Sequence, residues 1–586
     1  MGYIVTLLPH GRHEPRIRGL AMSGFRAYRA AAGRRHLRPQ IRPAPAPLMF
    51  TSPALQRNYH NYFVTHLPSS SLHPDSRSPS GLHHKLPRSA STPHTPGPGA
   101  SPAVVPPNMP SRDLTVVRIP LRSAKHHFGV ANSRGQREYN EDANQAGTIC
   151  MPAFARRAPI SLVRSQMSKS GEGTSAKSVL GDPQLFYFGV FDGHGGSECS
   201  EFLREELHGY IEEAAAEFQL ESSLQKHTRA ELAETADSSQ KDAQDTQEGQ
   251  IKGVPAAGAN EGASKAVKLE LDLLDEYRRT VGGYFRRFKP NYFTLPKKDL
   301  ATPSDGTAPE ADPVTLEAVL TYAFLRADLD FITAQARKPD PDDPYVSDFP
   351  LNNDEVLGSP HQPPSGHGIG GPARFKGGST ASVALISSPT PAPFWHPASH
   401  SSLVVAHVGD TRILLCETKT GLPRPLTSDH HPSSPAESRR LRRFAESLVT
   451  DSFGEERIQG LANSRAFGDM QSKRIGVSAE PDITRVDMGP AEFSFLVLMS
   501  DGVSGSLSDQ EIVDVIKEAR TPEEGARHVV EYATEISSNG DNATCLVVRL
   551  GGWERRSEGG LGSLGTKEVR DARRAEALDP RRRGRN

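Results

Sequence analysis

Two unbroken apolar runs, residues 186–191 (FYFGVF) and 493–499 (FSFLVLM), end beside aspartate–glycine pairs, Asp192–Gly193 and Asp501–Gly502. Short apolar runs bounded by turn residues are predicted as buried strands. A third strand, residues 542–550 (NATCLVVRL), starts directly after Asp541. Residues 401–417 (SSLVVAHVGDTRILLCE) are predicted as two strands joined by a tight hairpin turn at Gly409–Asp410. If the strand after Asp541 runs antiparallel to those before Asp192 and Asp501, three carboxylates gather at one end of the sheet. Asp410, in its turn, joins the same end.

Helical spacing of Phe202, Leu203, Leu207, Tyr210 and Ile211 predicts a helix over 197–211. Longer helices are expected over 269–287 and 316–336, and two more over 511–518 and 522–536. Strands interleaved with a few long helices, without regular βαβ alternation, indicate an α+β sandwich.

The formal net charge of -1 hides an asymmetry. Residues 1–112 hold 14 Lys/Arg against two acids, Glu14 and Asp75, and nine of the arginines fall within the first 42 residues. An Arg-rich, acid-poor start with scattered apolar residues predicts a mitochondrial transit peptide, assigned to residues 1–45. A secretory signal fits badly, because the apolar stretch at 3–8 is short and no positive side chain precedes it. A disordered basic tail held by nucleic acid or anionic lipid is the alternative. Residues 46–112 are expected to be mostly a disordered Ser/Pro/His-rich linker, although 58–68 (NYHNYFVTHLP) is aromatic enough to dock on a folded part.

The main domain is placed at 113–550, with low-complexity insertions near 219–266, 300–313 and 338–371 that carry few large apolar residues. A disordered basic tail is expected over 551–586. The four cysteines, Cys150, Cys199, Cys416 and Cys545, form no CxxC and read as isolated small hydrophobes. No apolar run approaches the ~18 residues needed to span a bilayer.

Each aspartate of the set has Gly or Asn beside it: DGHGG at 192–196, VGDT at 408–411, SDGVSG at 500–505 and NGDNAT at 539–544. Small neighbours let backbone and carboxylate approach a bound ion closely. Carboxylate and carbonyl oxygens are hard ligands suited to Mg²⁺ or Mn²⁺ rather than zinc. A single Asp-Gly is more often an ordinary turn; four, each at the end of an apolar strand, are harder to explain that way.

The ordered set of stretches RGQREYNEDAN (134–144), YFGVFDGHGG (187–196), GSTASVALI (378–386), VVAHVGDTRILL (404–415), LTSDHH (426–431), LANSRAFGD (461–469), VSAEPDI (477–483), LVLMSDG (496–502) and SNGDNATCLV (538–547) resembles the metal-dependent protein serine/threonine phosphatases of type 2C. The Arg-rich start and GGYFRRF (282–288) look most like the fungal mitochondrial members. The resemblance implies a central antiparallel β-sandwich flanked by α-helices. It also implies hydrolysis of phosphoserine and phosphothreonine through a binuclear Mg²⁺/Mn²⁺ centre and metal-activated water.

On that resemblance Asp192 bridges two ions with the Gly193 carbonyl on one of them, and Asp501 and Asp541 bind the other. Glu141 and Asp142 orient waters on the metals. Arg137 offers a planar fork to the phosphate, with a surface salt bridge to Glu138 or Glu141 as its other reading. His194 protonates the departing oxygen, with a structural role as its other reading. Asp429 and Asp469 are expected to serve packing or hydrogen bonding. Gly505 stands where family members often carry a further acid, so a weaker third metal site would depend on Asp410 and Asp501.

The implied partners are phosphoprotein substrates, by analogy mitochondrial metabolic enzymes such as the pyruvate dehydrogenase complex, and a monomer is expected. Two other classes stay open: a catalytically silent phosphatase-like regulatory or binding module, and a nuclease-like metal phosphohydrolase. The intact Asp192/Asp501/Asp541 set counts against the first. The absence of a basic, aromatic-interleaved stretch near the acids counts against the second.

Overall fold

The computed structural model describes residues 127–156, 182–224, 257–294, 314–338, 371–390, 392–443, 456–537, 540–557 and 562–578, with a few more inside 363–370 and short strands at 62–68, 114–120, 174–175 and 448–450. The chain divides into two units, Met1–Gln56 and Arg57–Asn586, and every described residue belongs to the second. The expected transit peptide and most of the linker and insertions therefore lie outside the described residues. Among the described residues no helix is long and apolar enough to cross a membrane.

Ten strands build two antiparallel sheets: β1 (Phe128–Ser133), β2 (Ala143–Ile149), β3 (Leu185–Phe191), β4 (Ala381–Ser387), β5 (Ser401–Val408), β6 (Arg412–Glu417), β7 (Pro423–Pro425), β8 (Asp482–Met488), β9 (Phe493–Met499) and β10 (Ala543–Arg549). The first sheet has the order β8-β5-β4-β3-β2 and the second β7-β6-β9-β10-β1. Six helices matter here: α1 (Glu198–Glu217), α2 (Ala257–Thr280), α3 (Leu316–Ala336), α4 (Asp509–Glu518), α5 (Pro522–Ile536) and α6 (Gly562–Ala577).

The period-2 alternation of strand side chains sorts the apolar residues into layers. Phe186, Phe188, Val190 and Val405 meet Ile413, Leu415, Leu498 and Leu546 between the sheets. The alternate residues of the first sheet, Leu185, Tyr187, Phe191, Val383 and Val404, face outward onto Leu203, Leu207, Leu320 and Phe324 of α1 and α3. On the other side Phe495, Val497, Cys545 and Val547 face Ile512, Ile516, Val529 and Ala533 of α4 and α5. The central strands are apolar on both faces because both faces are covered, which is why they read as continuous apolar runs. The expected α+β sandwich with flanking helices is the fold observed.

Three expectations change. Gly409–Asp410 does not close a hairpin: β5 pairs with β4 and β8, whereas β6 pairs with β9 and β7, so this turn carries the chain from one sheet to the other. The second helix begins at Ala257, inside the expected 219–266 insertion, and ends at Thr280 instead of 287. Gly282 and Gly283, at φ 66° and 52°, stop it, and Gly283–Arg287 forms a 3-10 turn whose Phe285 stacks on Tyr277. Residues 58–68, whose docking the sequence left open, contain the strand Tyr62–Pro68, paired antiparallel with Leu114–Pro120.

The third change concerns residues 551–586, expected to be a disordered tail. Trp553 is buried, and α6 follows it. The basic residues that suggested disorder are spaced to pair with acids on α4 and α5. Arg573 donates to both oxygens of Glu511 at 2.7 and 2.9 Å and to Ser506 O at 2.8 Å. Arg570 reaches Glu518 and Arg574 reaches Glu535. Glu511 also closes the capping box of α4 with Ser508. Arg573→Ala should lower stability by about 1 kcal/mol, seen as a lower urea midpoint. An unchanged midpoint would mean that this helix is not docked as described.

Candidate metal centre

β9 ends at Met499 and β10 begins at Ala543, and their register sets Met499 opposite Cys545. Asp501 and Asp541 therefore flank the same end of the second sheet. Asp192 arrives from β3 in the first sheet, and Asp501 N donates to its Oδ2 at 3.3 Å. Asp410 sits in the crossing between sheets. The acids thus gather at one end of the sandwich, drawn from both sheets rather than from one.

Two glycines permit the approach. A β-carbon at Gly502 would run into the Asn542 carbonyl, and one at Gly193 into the carbonyl of Glu141. Gly409, at φ 106°, turns the chain into Asp410. His430 holds that turn by accepting from Gly409 N at 3.0 Å through Nδ1.

One carboxylate oxygen each from Asp192, Asp410 and Asp501 lies within 4.8 Å of the others. All three are half-buried: protein crowds them while solvent still reaches them. Asp142 stands beside them, accepting from Ser500 Oγ at 2.9 Å and Thr544 Oγ1 at 2.7 Å through Oδ2, while its Oδ1 is buried without a hydrogen-bond donor. Desolvation, then mutual repulsion, pushes the carboxyl of Asp192 well up. Desolvation likewise pushes Asp142 and Asp501 up to about 6 and Asp410 up to about 7, with Asp541 adding repulsion on Asp142 and Asp501, and Asp501 on Asp410.

Among the described residues no basic side chain forms an ion pair with any of these four acids. Crowded carboxylates that repel one another and lack a basic partner need a positive charge, and an all-oxygen donor set fits a hard divalent cation. Gly505 is as read from the sequence: its N donates to Asp501 O at 2.7 Å, and it offers no carboxylate.

Asp541 borders this same end of the sandwich. It stands outside the group of three and accepts from Arg137 Nη2 at 2.9 Å. Arg137 is exposed, and its ion partner is Asp541 rather than Glu138 or Glu141. The loop carrying Arg137 is clamped to the Asp541 loop. Gln136 N donates to Gly540 O, Asn542 Oδ1 accepts from Glu141 N, and Asn542 Nδ2 donates to the carbonyls of Arg134 and Tyr139. Glu141 Oε1 accepts from Gly196 N at 2.5 Å, bracing the glycine turn after His194.

His194 lies in a small three-stranded ladder, in which Gly193–His194 pairs with Gly378–Ser379 and that pair with Phe467–Gly468. Its Nε2 sits 2.9 and 3.0 Å from the two oxygens of Asp469. Desolvation disfavours the imidazolium, but the charge and hydrogen bond of Asp469 outweigh it, and the net shift is upward. Asp469 is thus the buried partner of His194, a hydrogen-bonding role more specific than the sequence could assign. Asp429 makes a long 3.6 Å ion pair with Arg412. Sequence reasoning misses the roles of Asn542, Ser500 and Thr544. Their only signal was a place inside the quoted motifs.

The protein phosphatase 2C family model matches residues 370–542. Protein phosphatase 2C homolog 4 of Schizosaccharomyces pombe is 30% identical over 445 residues, spanning 75% of this chain and 84% of that protein. The mitochondrial protein phosphatase 1K of Xenopus laevis is 37% identical over 177 residues, 30% of this chain and 44% of the relative. Among solved structures, a serine-threonine phosphatase 2C from Toxoplasma gondii aligns at 18% identity and a TM-score of 0.38, covering 72% of this chain and 94% of its own.

The raised carboxyl values set a sign for pH. An acid whose folded value is raised favours folding when protonated and loses that contribution as pH rises through the folded value. Without metal, these groups cost stability as pH climbs from about 4 through about 6 to 7. Added Mn²⁺ should therefore raise Tm more at pH 7.5 than at pH 5.5, where protons compete for the oxygens. A thermal shift independent of pH would count against the cluster as the site.

Proposed function

The chain belongs to the protein phosphatase 2C family and is a metal-dependent serine/threonine protein phosphatase; from that premise we propose that it removes phosphate from phosphoserine and phosphothreonine in mitochondrial proteins, using two Mg²⁺ or Mn²⁺ ions held at the end of the sandwich. The observation that carries the reading is the convergence of Asp192, Asp410 and Asp501, with no basic side chain ion-paired to them among the described residues. Asp192, Asp501 and Asp541, with the Gly193 carbonyl, would hold the ion pair, and Asp410 with Asp501 would offer a weaker third position. When bound, the cations supply Lewis acidity and neutralise charge on the phosphoryl oxygens.

The chain's own residues do the rest. Arg137, exposed and always charged, offers its fork to the phosphate. Asp541 orients that fork through their 2.9 Å contact. Asp142, held by Ser500 and Thr544, and Glu141, which braces the glycine turn at Gly196, would orient waters on the cations. His194 holds a proton for the departing Ser or Thr oxygen. Its Nε2 is engaged by Asp469, which leaves Nδ1 to deliver it. The mitochondrial location is supported by the Arg-rich, acid-poor first 42 residues and by the name of the Xenopus relative.

Two outcomes test this reading. Phosphate release from a phosphothreonine peptide by the full chain should need Mn²⁺ or Mg²⁺ and stop with EDTA. Asp192→Ala or Asp501→Ala should lower it at least about 100-fold while circular dichroism stays unchanged. Activity retained in either variant would remove the metal assignment. Deleting residues 1–45 should abolish import into isolated mitochondria and leave turnover intact, and import by the shortened chain would exclude the targeting role.

A further inference from the structure

Beneath the His194–Asp469 pair lies a second charged pair that the reaction does not touch. Asp328 of α3 and Lys473 are both fully buried, with Lys473 Nζ 2.8 Å from Asp328 Oδ2. They grip one turn from two sides. Asp328 Oδ1 accepts from Gly468 N at 3.0 Å, and Lys473 Nζ donates to Ala466 O at 2.7 Å. Tyr277 of α2 donates its hydroxyl to Asp328 Oδ2 at 3.1 Å and to Leu325 O at 2.7 Å. The gripped segment, residues 466–468, runs directly into Asp469.

Asp469 has little freedom of its own. Its backbone is left-handed, at φ 45° and ψ 46°, a conformation that a residue with a β-carbon adopts at a cost. Its N donates to Gly377 O at 2.9 Å. Its Oδ2 lies so close to Gly378 that a β-carbon there would run into it. Any shift of the turn therefore moves the carboxylate relative to His194.

A buried ion pair is a poor way to gain stability, since desolvation offsets most of its attraction and an apolar pair fills the same space at less cost. An apolar pair here would leave Gly468 N and Ala466 O without partners one to three residues before Asp469. The geometry points to a role in alignment.

We propose that Asp328 and Lys473 are positioning residues for the proton donor: they fix the 466–469 turn so that Asp469 holds the His194 imidazole in line with the departing oxygen. The proposal rests on His194 being that donor. In the step concerned, a water oxygen bonds to phosphorus as the bond from phosphorus to the leaving oxygen breaks; the leaving oxygen takes the proton from His194 Nδ1, and the proton the water loses passes to solvent. A serine or threonine alkoxide needs this proton as it leaves. A p-nitrophenolate leaves as a stable anion without it.

The test is the ratio of kcat on a phosphothreonine peptide to kcat on p-nitrophenyl phosphate, with the full chain in saturating Mn²⁺. His194→Gln should lower the ratio about 100-fold. Asp328→Asn, and the charge-neutral double variant Asp328→Asn/Lys473→Gln, should lower it about 10-fold with KM little changed. Tyr277→Phe, which deletes only one hydroxyl and should fold, should lower it about 2-fold. If His194→Gln lowers the ratio but the folded Asp328 and Tyr277 variants slow both substrates equally, or neither, the inference is overturned. If His194→Gln leaves the ratio unchanged, the proton-donor reading falls, and the inference with it.

Discussion

Repulsion among carboxylates at one end of the sandwich is the constraint on which the rest of the site depends. Asp142, Asp192, Asp410 and Asp501 crowd together with their carboxyl groups pushed upward and, among the described residues, no basic side chain ion-paired to them. Such a group persists only if the surrounding fold holds it firmly, because each acid gains by moving away from the others. The layered core supplies that hold. Strands apolar on both faces, packed between α1 and α3 on one side and α4 and α5 on the other, fix where β3 and β9 end and where β10 begins. The glycines then let the loops close to distances that any side chain would prevent.

Polar second partners turn this crowding into a defined arrangement. Asn542 ties the Arg137 loop to the Asp541 loop, Ser500 and Thr544 hold one oxygen of Asp142, and His430 pins the crossing turn at Asp410. Around His194 the same logic runs through Asp469 and, one layer deeper, through Asp328 and Lys473. Rigid partners of this kind orient the groups that touch a ligand, and their worth lies in geometry more than in stability.

What the sequence revealed follows from locality. The buried strands at 186–191 and 493–499 were legible because six or seven apolar residues with turn residues at the end have few other readings. The acids were legible because each sits at such an end. Gly409–Asp410 was misread because a hairpin and a corner between two sheets need the same local residues. Only the distant partners of β5 and β6 distinguish them. Helix α6 was hidden because its Arg-rich composition resembles a solvated tail, and the acids that dock it lie on α4 and α5. The start of α2 was hidden because Ala, Lys and Glu favour helix while giving little apolar signal. Asp469 could be seen as an acid in a motif, but its contact with a histidine 275 residues earlier could not.

The most direct test is to count cations. Equilibrium dialysis of the full chain against Mn²⁺ at pH 7.5, beside Asp192→Asn, measures how many ions the acid cluster holds and whether Asp192 is shared between them. The expected result is two tightly held ions per chain, with both weakened together by the single substitution. Unchanged stoichiometry and affinity in Asp192→Asn, or no tight binding by the unaltered chain, would contradict the assignment of this cluster as the metal centre.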